Sequence, residues 1–250
     1  MKSERPILFS TPMVQAILDG SKTQTRRTNG IKQVNDNPSI NDYKGAAGND
    51  PRIHEFSRIS VGARILTIKE KCPYGQPGDL LWVREKFAIS GLMWQAKPSL
   101  AIKYCSDNAV KYAASDNDWQ HAWRPSIHMP KAAARIWLQV EEISVERLQD
   151  ISEEDAKAEG IKISYAFGEN EEHFYVYPPK EKGKGIFCGP CRVDDTWVSK
   201  SSAFGSKAPA KFSFASLWSS VNGIGSWEQN PWLWVVKFKV LSTTGKPETL

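Results

Sequence analysis

Apolar residues occur along this chain in short runs separated by long polar stretches, and most runs have a legible period. Ile7-Leu8-Phe9 predicts a strand. From Thr11 to Leu18, the positions Met13, Val14, Ile17 and Leu18 fall on one helical face. Thr11 serves as N-cap there, Pro12 as the first helical residue and Gly20 as the terminator. Positions 63–69 alternate apolar and polar and predict a strand. A turn-rich approach then leads into another strand at 80–85. Leu81, Val83 and Glu85 share one of its faces; Leu80, Trp82 and Arg84 share the other. Positions 136–143 predict a further strand. A short helix is expected over 152–160, with Ser152 and Asp155 resembling a capping box, an acidic first turn and Gly160 at its end. Positions 214–221 read as a short amphipathic helix stopped by Asn222-Gly223. Positions 232–240 form the last strand, with Trp234, Val236 and Phe238 alternating.

Between these runs lie three stretches without a clear period, at about 28–60, 87–124 and 162–213. They are read as insertions, the last two long. Over 28–52 the first is rich in Asn, Gly and Asp and has little to bury. No internal repeat occurs. Short strands with few helices predict an α+β, mostly β chain: one domain over 1–250, a small β-barrel with short flanking helices and insertions.

Composition sharpens this picture only in part. Of 250 residues, 40% are hydrophobic and 24% charged, so the chain is a folded one. A net charge of +5 permits a polyanionic partner without demanding one. Ten tryptophans suit stacking on flat bases as well as core filling. The opening Met1-Lys2-Ser3-Glu4-Arg5-Pro6 leads into no signal-peptide pattern, and no apolar run is long enough for a membrane span. A cytoplasmic location is expected, where four cysteines stay reduced.

Candidate chemistry concentrates in Gly20-Ser21-Lys22-Thr23-Gln24-Thr25-Arg26-Arg27. Clustered Lys and Arg suit a phosphate or another anion, and neighbouring cations lower the proton affinity of Lys22. The same octapeptide also reads as a solvated turn and a basic edge strand. Elsewhere, Trp82 and Arg84 can reach one cleft together, and Glu85, a further ligand-binding candidate, faces the other way unless the strand is bulged. Arg124, Ser126 and His128 sit on a loop fixed by Pro125 and Pro130 and can meet a base edge or phosphate. Glu141, Glu142, Glu146, Glu153 and Glu154 form an acidic run, read as a solvated face that confines any polyanion contact to the side of Lys22, Arg26 and Arg27. Cys188-Gly189-Pro190-Cys191 resembles a redox pair but lacks the strand-to-helix setting such pairs need. With Cys72, Cys105 or His173, Cys188 and Cys191 are also an alternative zinc set, though no second knuckle has the right spacing.

The pattern Gly20-x-Lys22-x-x-Thr25-x-Arg27 resembles the signature of the ASCH domain, a PUA-like β-barrel. Three further pieces follow in the family's order: Pro77-Gly78-Asp79 before a strand, Ala158-Glu159-Gly160 after the acidic helix, and the aromatic strand at 232–240. With Cys72-Pro73-Tyr74-Gly75, Pro125-Ser126-Ile127-His128-Met129-Pro130 and the Ser226-Trp227, Asn230-Pro231-Trp232 tail, the chain looks like the longer ASCH proteins of bacteriophages and prophages. The resemblance implies an RNA or modified nucleobase in a cleft of the barrel, with no cofactor. It also implies a relation to a bacterial branch that hydrolyses the acetyl amide of acetylcytidine. That branch's working lysine, threonine and glutamate carry over to Lys22, Thr25 and Glu159. There Lys22 takes the proton of Thr25, whose hydroxyl or a water it positions attacks the acetyl carbonyl, while Glu159 orients or protonates the leaving amine. Because strand residues three apart face opposite sides, this requires Lys22 at a turn and Thr25 at the start of the strand. Two readings stand beside hydrolysis: RNA or nucleobase binding without turnover, and an accessory protein whose insertions bind another protein.

Overall fold

The computed structural model describes residues 2–59, 64–89, 110–116, 118, 122–161, 163–164, 173–174 and 209–248. Its strands are β1 (Glu4–Leu8), β2 (Gln24–Arg27), β3 (Asp42–Ala46), β4 (Ile53–Ile59), β5 (Ile65–Lys71), β6 (Leu80–Arg84), β7 (Phe87–Ile89), β8 (Val110–Tyr112), β9 (Trp137–Arg147), β10 (Ile163–Ser164), β11 (His173–Phe174) and β12 (Trp232–Ser242). The helices are α1 (Thr11–Leu18), α2 (Lys32–Asn35), α3 (Glu153–Ala158) and α4 (Pro209–Asn222). The chain is thus α+β and mostly strand. Among the described residues the strands lie in open sheets rather than in the closed barrel expected. Two compact units divide the chain: Met1–Thr23, Pro73–Ile143 and Val236–Leu250 form one, and Gln24–Cys72 with Ser144–Val235 the other.

In the first unit β1, β6, β9 and β12 are successive neighbours. β1 runs parallel to β6, from Glu4 opposite Leu80 to Leu8 opposite Arg84, and β6 is antiparallel to the start of β9. Its core gathers Ile7, Leu81, Val83, Trp137, Leu138 and Phe238, all at most 2% exposed. α1 has the predicted extent, but Ser10 and not Thr11 is its N-cap. Gly20 follows the C-cap Asp19 with φ 81, a left-handed position that favours glycine. This turn returns the chain so that Lys22 N donates to Ala16 O at 2.9 Å. The Pro77-Gly78-Asp79 piece is structural here. The Asp79 carboxylate accepts from Ser3 N at 2.8 Å and Gln76 N at 3.1 Å, and a Cβ on Gly75 would sit 2.6 Å from its Oδ2. Within the 87–124 stretch β7 pairs with β8, and a bridge from Phe87 to Arg124 joins its two ends; Phe87 and Ile89 pack with Met129 and Ala133.

In the second unit β3, β4 and β5 form an antiparallel meander. This corrects the reading of 28–52 as a loop with little to bury, since β3 lies within it and its Ile31 and Val34 are 0% exposed, and it adds β4 in the rest of the 28–60 stretch. His54 and Phe56, on one face of β4, are 4% and 0% exposed. Only two strongly buried positions alternate with polar ones there, too few to outweigh the Asn/Gly/Asp composition around them. β2 flanks β12 at a sheet edge. α3 and α4 pack together through Leu148, Ile151, Ala156, Phe214, Trp218 and Trp227. α4 begins five residues before its predicted start at 214, and the Glu153 carboxylate satisfies the amides of Ala210 at 2.9 Å and Lys211 at 3.1 Å.

Candidate functional site

β2 positions the densest cluster of charged side chains in the second unit. Strand alternation sends Gln24 and Arg26 to one face and Thr25 and Arg27 to the other. Gln24 donates to Asp155 O at 2.7 Å and to its Oδ1 at 3.0 Å. Arg26 Nε donates to Glu146 Oε1 at 2.5 Å, and Nη1 to Glu159 Oε1 at 3.1 Å. Its Nη2 lies 3.4 Å from Asp155 Oδ2, an ion-pair contact without hydrogen-bond geometry. The Phe214 ring covers the guanidinium, with 5.9 Å from Cζ to the centroid. Arg26 and Glu159 are 5% and 4% exposed, so the pair is internal.

Local sequence explains how the acids arrive there. Ser152 Oγ accepts from Asp155 N at 3.0 Å and caps α3, as its spacing to Asp155 predicts. Asp155 in the first turn and Glu159 at the C-cap are four residues apart, one above the other on a single face. Glu146 comes from the end of β9. Burial pushes its carboxyl above the usual range; Arg26 opposes this, while Asp155 and Asp150 add to it. Arg26, expected as a ligand cation, is therefore occupied by protein carboxylates, and Glu146 is part of this cluster rather than of a solvated acidic face. Thr25, 2% exposed, leaves β2 on the face opposite Arg26 and its partner Glu159. Arg27 is half-buried on Thr25's face.

The first unit holds the remaining sequence-predicted residues. Lys22 is 1% exposed, and its Nζ stands 5.8 Å from the Phe9 ring centroid. β2 is an edge strand, as read for this octapeptide, but not a solvated one: Lys22, Gln24, Thr25 and Arg26 are all buried. Trp82 and Arg84 share a face, as alternation requires, with Arg84 Cζ 5.6 Å from the Trp82 ring centroid. Arg84 also donates to Ile127 O, on the loop that bears Ser126 and His128. Arg124 pairs its backbone with Phe87, Ser126 is half-buried and His128 is exposed.

Glu85 faces away from Trp82, as expected, and meets a partner that sequence reasoning missed. Arg135 grips it with two bonds, Nε to Oε1 at 2.9 Å and Nη2 to Oε2 at 3.0 Å. Tyr112 stacks under Arg135 at 4.1 Å from Cζ to the ring centroid, and its hydroxyl donates to Ala133 O at 2.9 Å. Burial raises the Glu85 carboxyl above its ordinary range against the pull of Arg135, and pushes the Tyr112 phenol up to about 12. A second missed group is His54 in the second unit. Its Nδ1 is 2.8 Å from Tyr43 Oη and its ring meets Trp234 edge-on. Burial lowers its proton affinity.

Cys188 and Cys191 lie outside the described residues. Among the described residues no His, Cys, Asp and Glu group is placed to hold a metal, and no helix is long and apolar enough to cross a membrane. Comparison with protein-family models, with curated proteins and with solved structures returned no match.

Proposed function

We propose that this chain recognises a nucleobase, free as a modified nucleoside or carried by RNA, as a PUA-like protein of ASCH type, with Lys22 and Thr25 among its ligand contacts. One observation carries this reading. Lys22, Gln24, Thr25 and Arg26 are 1, 1, 2 and 5% exposed in a segment whose charge would ordinarily keep it in water. Gln24 and Arg26 already donate to Asp155, Glu146 and Glu159, so of the four it is Lys22 and Thr25 that would meet a polar ligand, with little competition from solvent. Hydrolysis of an acylated cytidine amide by Lys22, Thr25 and Glu159 is the weaker reading, because Thr25 leaves β2 on the face opposite Arg26, and Arg26 is the residue that holds Glu159.

The test is incubation with acetylcytidine, other acylated cytidines and cytidine itself. Acyl loss is followed by absorbance and binding by calorimetry, for the native chain and Lys22→Ala. Nucleoside binding that is lost in Lys22→Ala supports recognition, and turnover that disappears with it establishes the hydrolase. A chain that neither binds nor turns over any nucleoside, and binds RNA equally well with and without Lys22, overturns both.

A further inference from the structure

The end of the β4–β5 hairpin, in the second unit, carries the most exposed large apolar side chains among the described residues. Ile59 is 76% and Ile65 73% exposed, and the two stand directly opposite one another in the ladder. The next pair inward is Arg58 with Leu66, on the other face of the ribbon, and Leu66 is 40% exposed. Single exposed aliphatic residues are ordinary; three at one hairpin end form a patch with something to gain from a partner.

The hairpin is anchored at its base. Phe56 and Ile68 face each other at 0% and 5% exposed, and the Phe56 ring meets those of Tyr43 and Trp232 at 5.4 and 5.6 Å between centroids. β3 pairs with β4 only as far as Ser57, opposite Asp42. Arg58, Ile59, Ile65 and Leu66 thus extend past the third strand as a two-stranded ribbon, by roughly 7 Å at the rise of a strand.

The charges of this ribbon are unequal. From 58 to 66 the sequence has two arginines and no acid. Arg58 and Arg64 have no ion pair among the described residues. Behind them Lys69 and Lys71 lie on the face of Ile59 and Ile65, their side chains 61% and 54% exposed, with Glu55 at 3.8 Å from the first and Asp50 at 3.0 Å from the second. Asp50 is already held by Arg52. An apolar end set between arginines fits a partner that offers methyl groups beside anions. The major groove of double-stranded DNA does so. It is about 12 Å wide and about 8.5 Å deep, admits a two-stranded ribbon, and shows the thymine methyl beside base-edge acceptors, with phosphates along its rims. A membrane surface fits less well, because three aliphatic side chains bury no more than one acyl chain, which by itself anchors only marginally. A second copy of the same tip would set arginine against arginine.

We infer that the end of the β4–β5 hairpin docks into the major groove of double-stranded DNA, with Ile59 and Ile65 against thymine methyls, Arg58 and Arg64 on guanine edges or phosphates, and Lys69 and Lys71 on the flanking backbone. This surface shares no residue with the Lys22 and Thr25 contacts proposed above and stands or falls apart from them. The test is fluorescence anisotropy of the full chain with a labelled DNA duplex two helical turns long, in a thymine form and in a form with uracil throughout, which lacks only the methyls. The native chain is expected to hold the thymine form about tenfold more tightly. Ile59→Ser with Ile65→Ser is expected to remove that preference and leave the salt dependence as it was; both side chains are in solvent, so the core is untouched. Arg64→Ala is expected to weaken both forms alike and to lower the log–log salt slope by about one. The same sequence as duplex RNA, whose major groove excludes side chains, is expected to bind about tenfold more weakly or worse. The inference is overturned by a native chain that binds neither DNA form or both equally, by a thymine preference that survives the isoleucine change, by an Arg64→Ala chain that binds as the native one does, or by RNA held as tightly as DNA. A chain that ignores DNA and instead binds phosphatidylserine vesicles, or pairs with its own copy in sedimentation, through the two isoleucines overturns it as well.

Discussion

Each unit sets one arginine against a buried glutamate, and the two sites balance their charges differently. In the first, Arg135 and Glu85 match one to one through two parallel bonds of 2.9 and 3.0 Å, with Tyr112 under the guanidinium and Ser115 accepting from Nη1 at 2.9 Å. In the second, one guanidinium faces Glu146, Glu159 and Asp155. A matched fork leaves neither partner anything to offer a ligand, so Glu85 is a clamp between the end of β6 and the entry to β9. In the Arg26 cluster three carboxylates share one guanidinium, and the buried Glu159 is oriented by it. The same pair of residue types thus gives a one-to-one joint in one unit and a crowded acidic cluster in the other.

Removing each arginine is the strongest way to break the comparison. Arg26→Ala strands carboxylates that repel one another where solvent is scarce, and it is expected to cost about 3–5 kcal/mol in chemical denaturation. Arg26→Lys restores the charge without the fork and recovers part of that loss. A cost under about 1 kcal/mol for Arg26→Ala would mean that the cluster behaves as a solvated surface pair.

Arg135→Ala is expected to cost less, about 2–3 kcal/mol, because only Glu85 is stranded and a proton can neutralise it. The double change Glu85→Gln with Arg135→Met removes both charges and is expected to recover much of that cost. If Arg135→Ala proves more damaging than Arg26→Ala, the one-to-one pair, and not the crowded cluster, is the more strained site.

The two sites also differ in how far sequence reaches them. Local rules found what local contacts determine: the extent of α1 with glycine just past its end, the alternation of β6 that turns Glu85 away from Trp82, and the Ser152 cap of α3. They failed where the decisive partner is remote. Arg26 reads as a surface cation because the acids that bury it stand 120 and 133 residues away. Arg135 precedes its strand without any signature linking it to Glu85, 50 residues earlier. The β4 strand was lost because its polar face and Asn/Gly-rich flanks outweigh His54 and Phe56. The open sheets differ from the expected barrel for a related reason, since strand periodicity specifies a face and leaves closure unspecified.

The finest test of the contrast is the pH dependence of Glu146. Its carboxyl titrates above the usual range, first because it is buried and then because Asp155 and Asp150 stand near, with Arg26 pulling the other way. A carboxyl whose folded pKa is raised holds its proton more tightly in the folded state than in the unfolded one. The stability this contributes is fully present below the unfolded value of about 4.5 and is lost as pH rises through the higher folded value. Glutamine at this position keeps a neutral hydrogen-bonding group at every pH. In denaturation series from pH 4 to about pH 7, Glu146→Gln is therefore expected to differ little from the native chain at the acid end and to gain on it steadily as pH rises. A difference that stays flat, or that moves in favour of the native chain, would mean that Arg26 alone sets the charge of Glu146. The crowding of acids around Arg26 would then no longer distinguish the second site from the first.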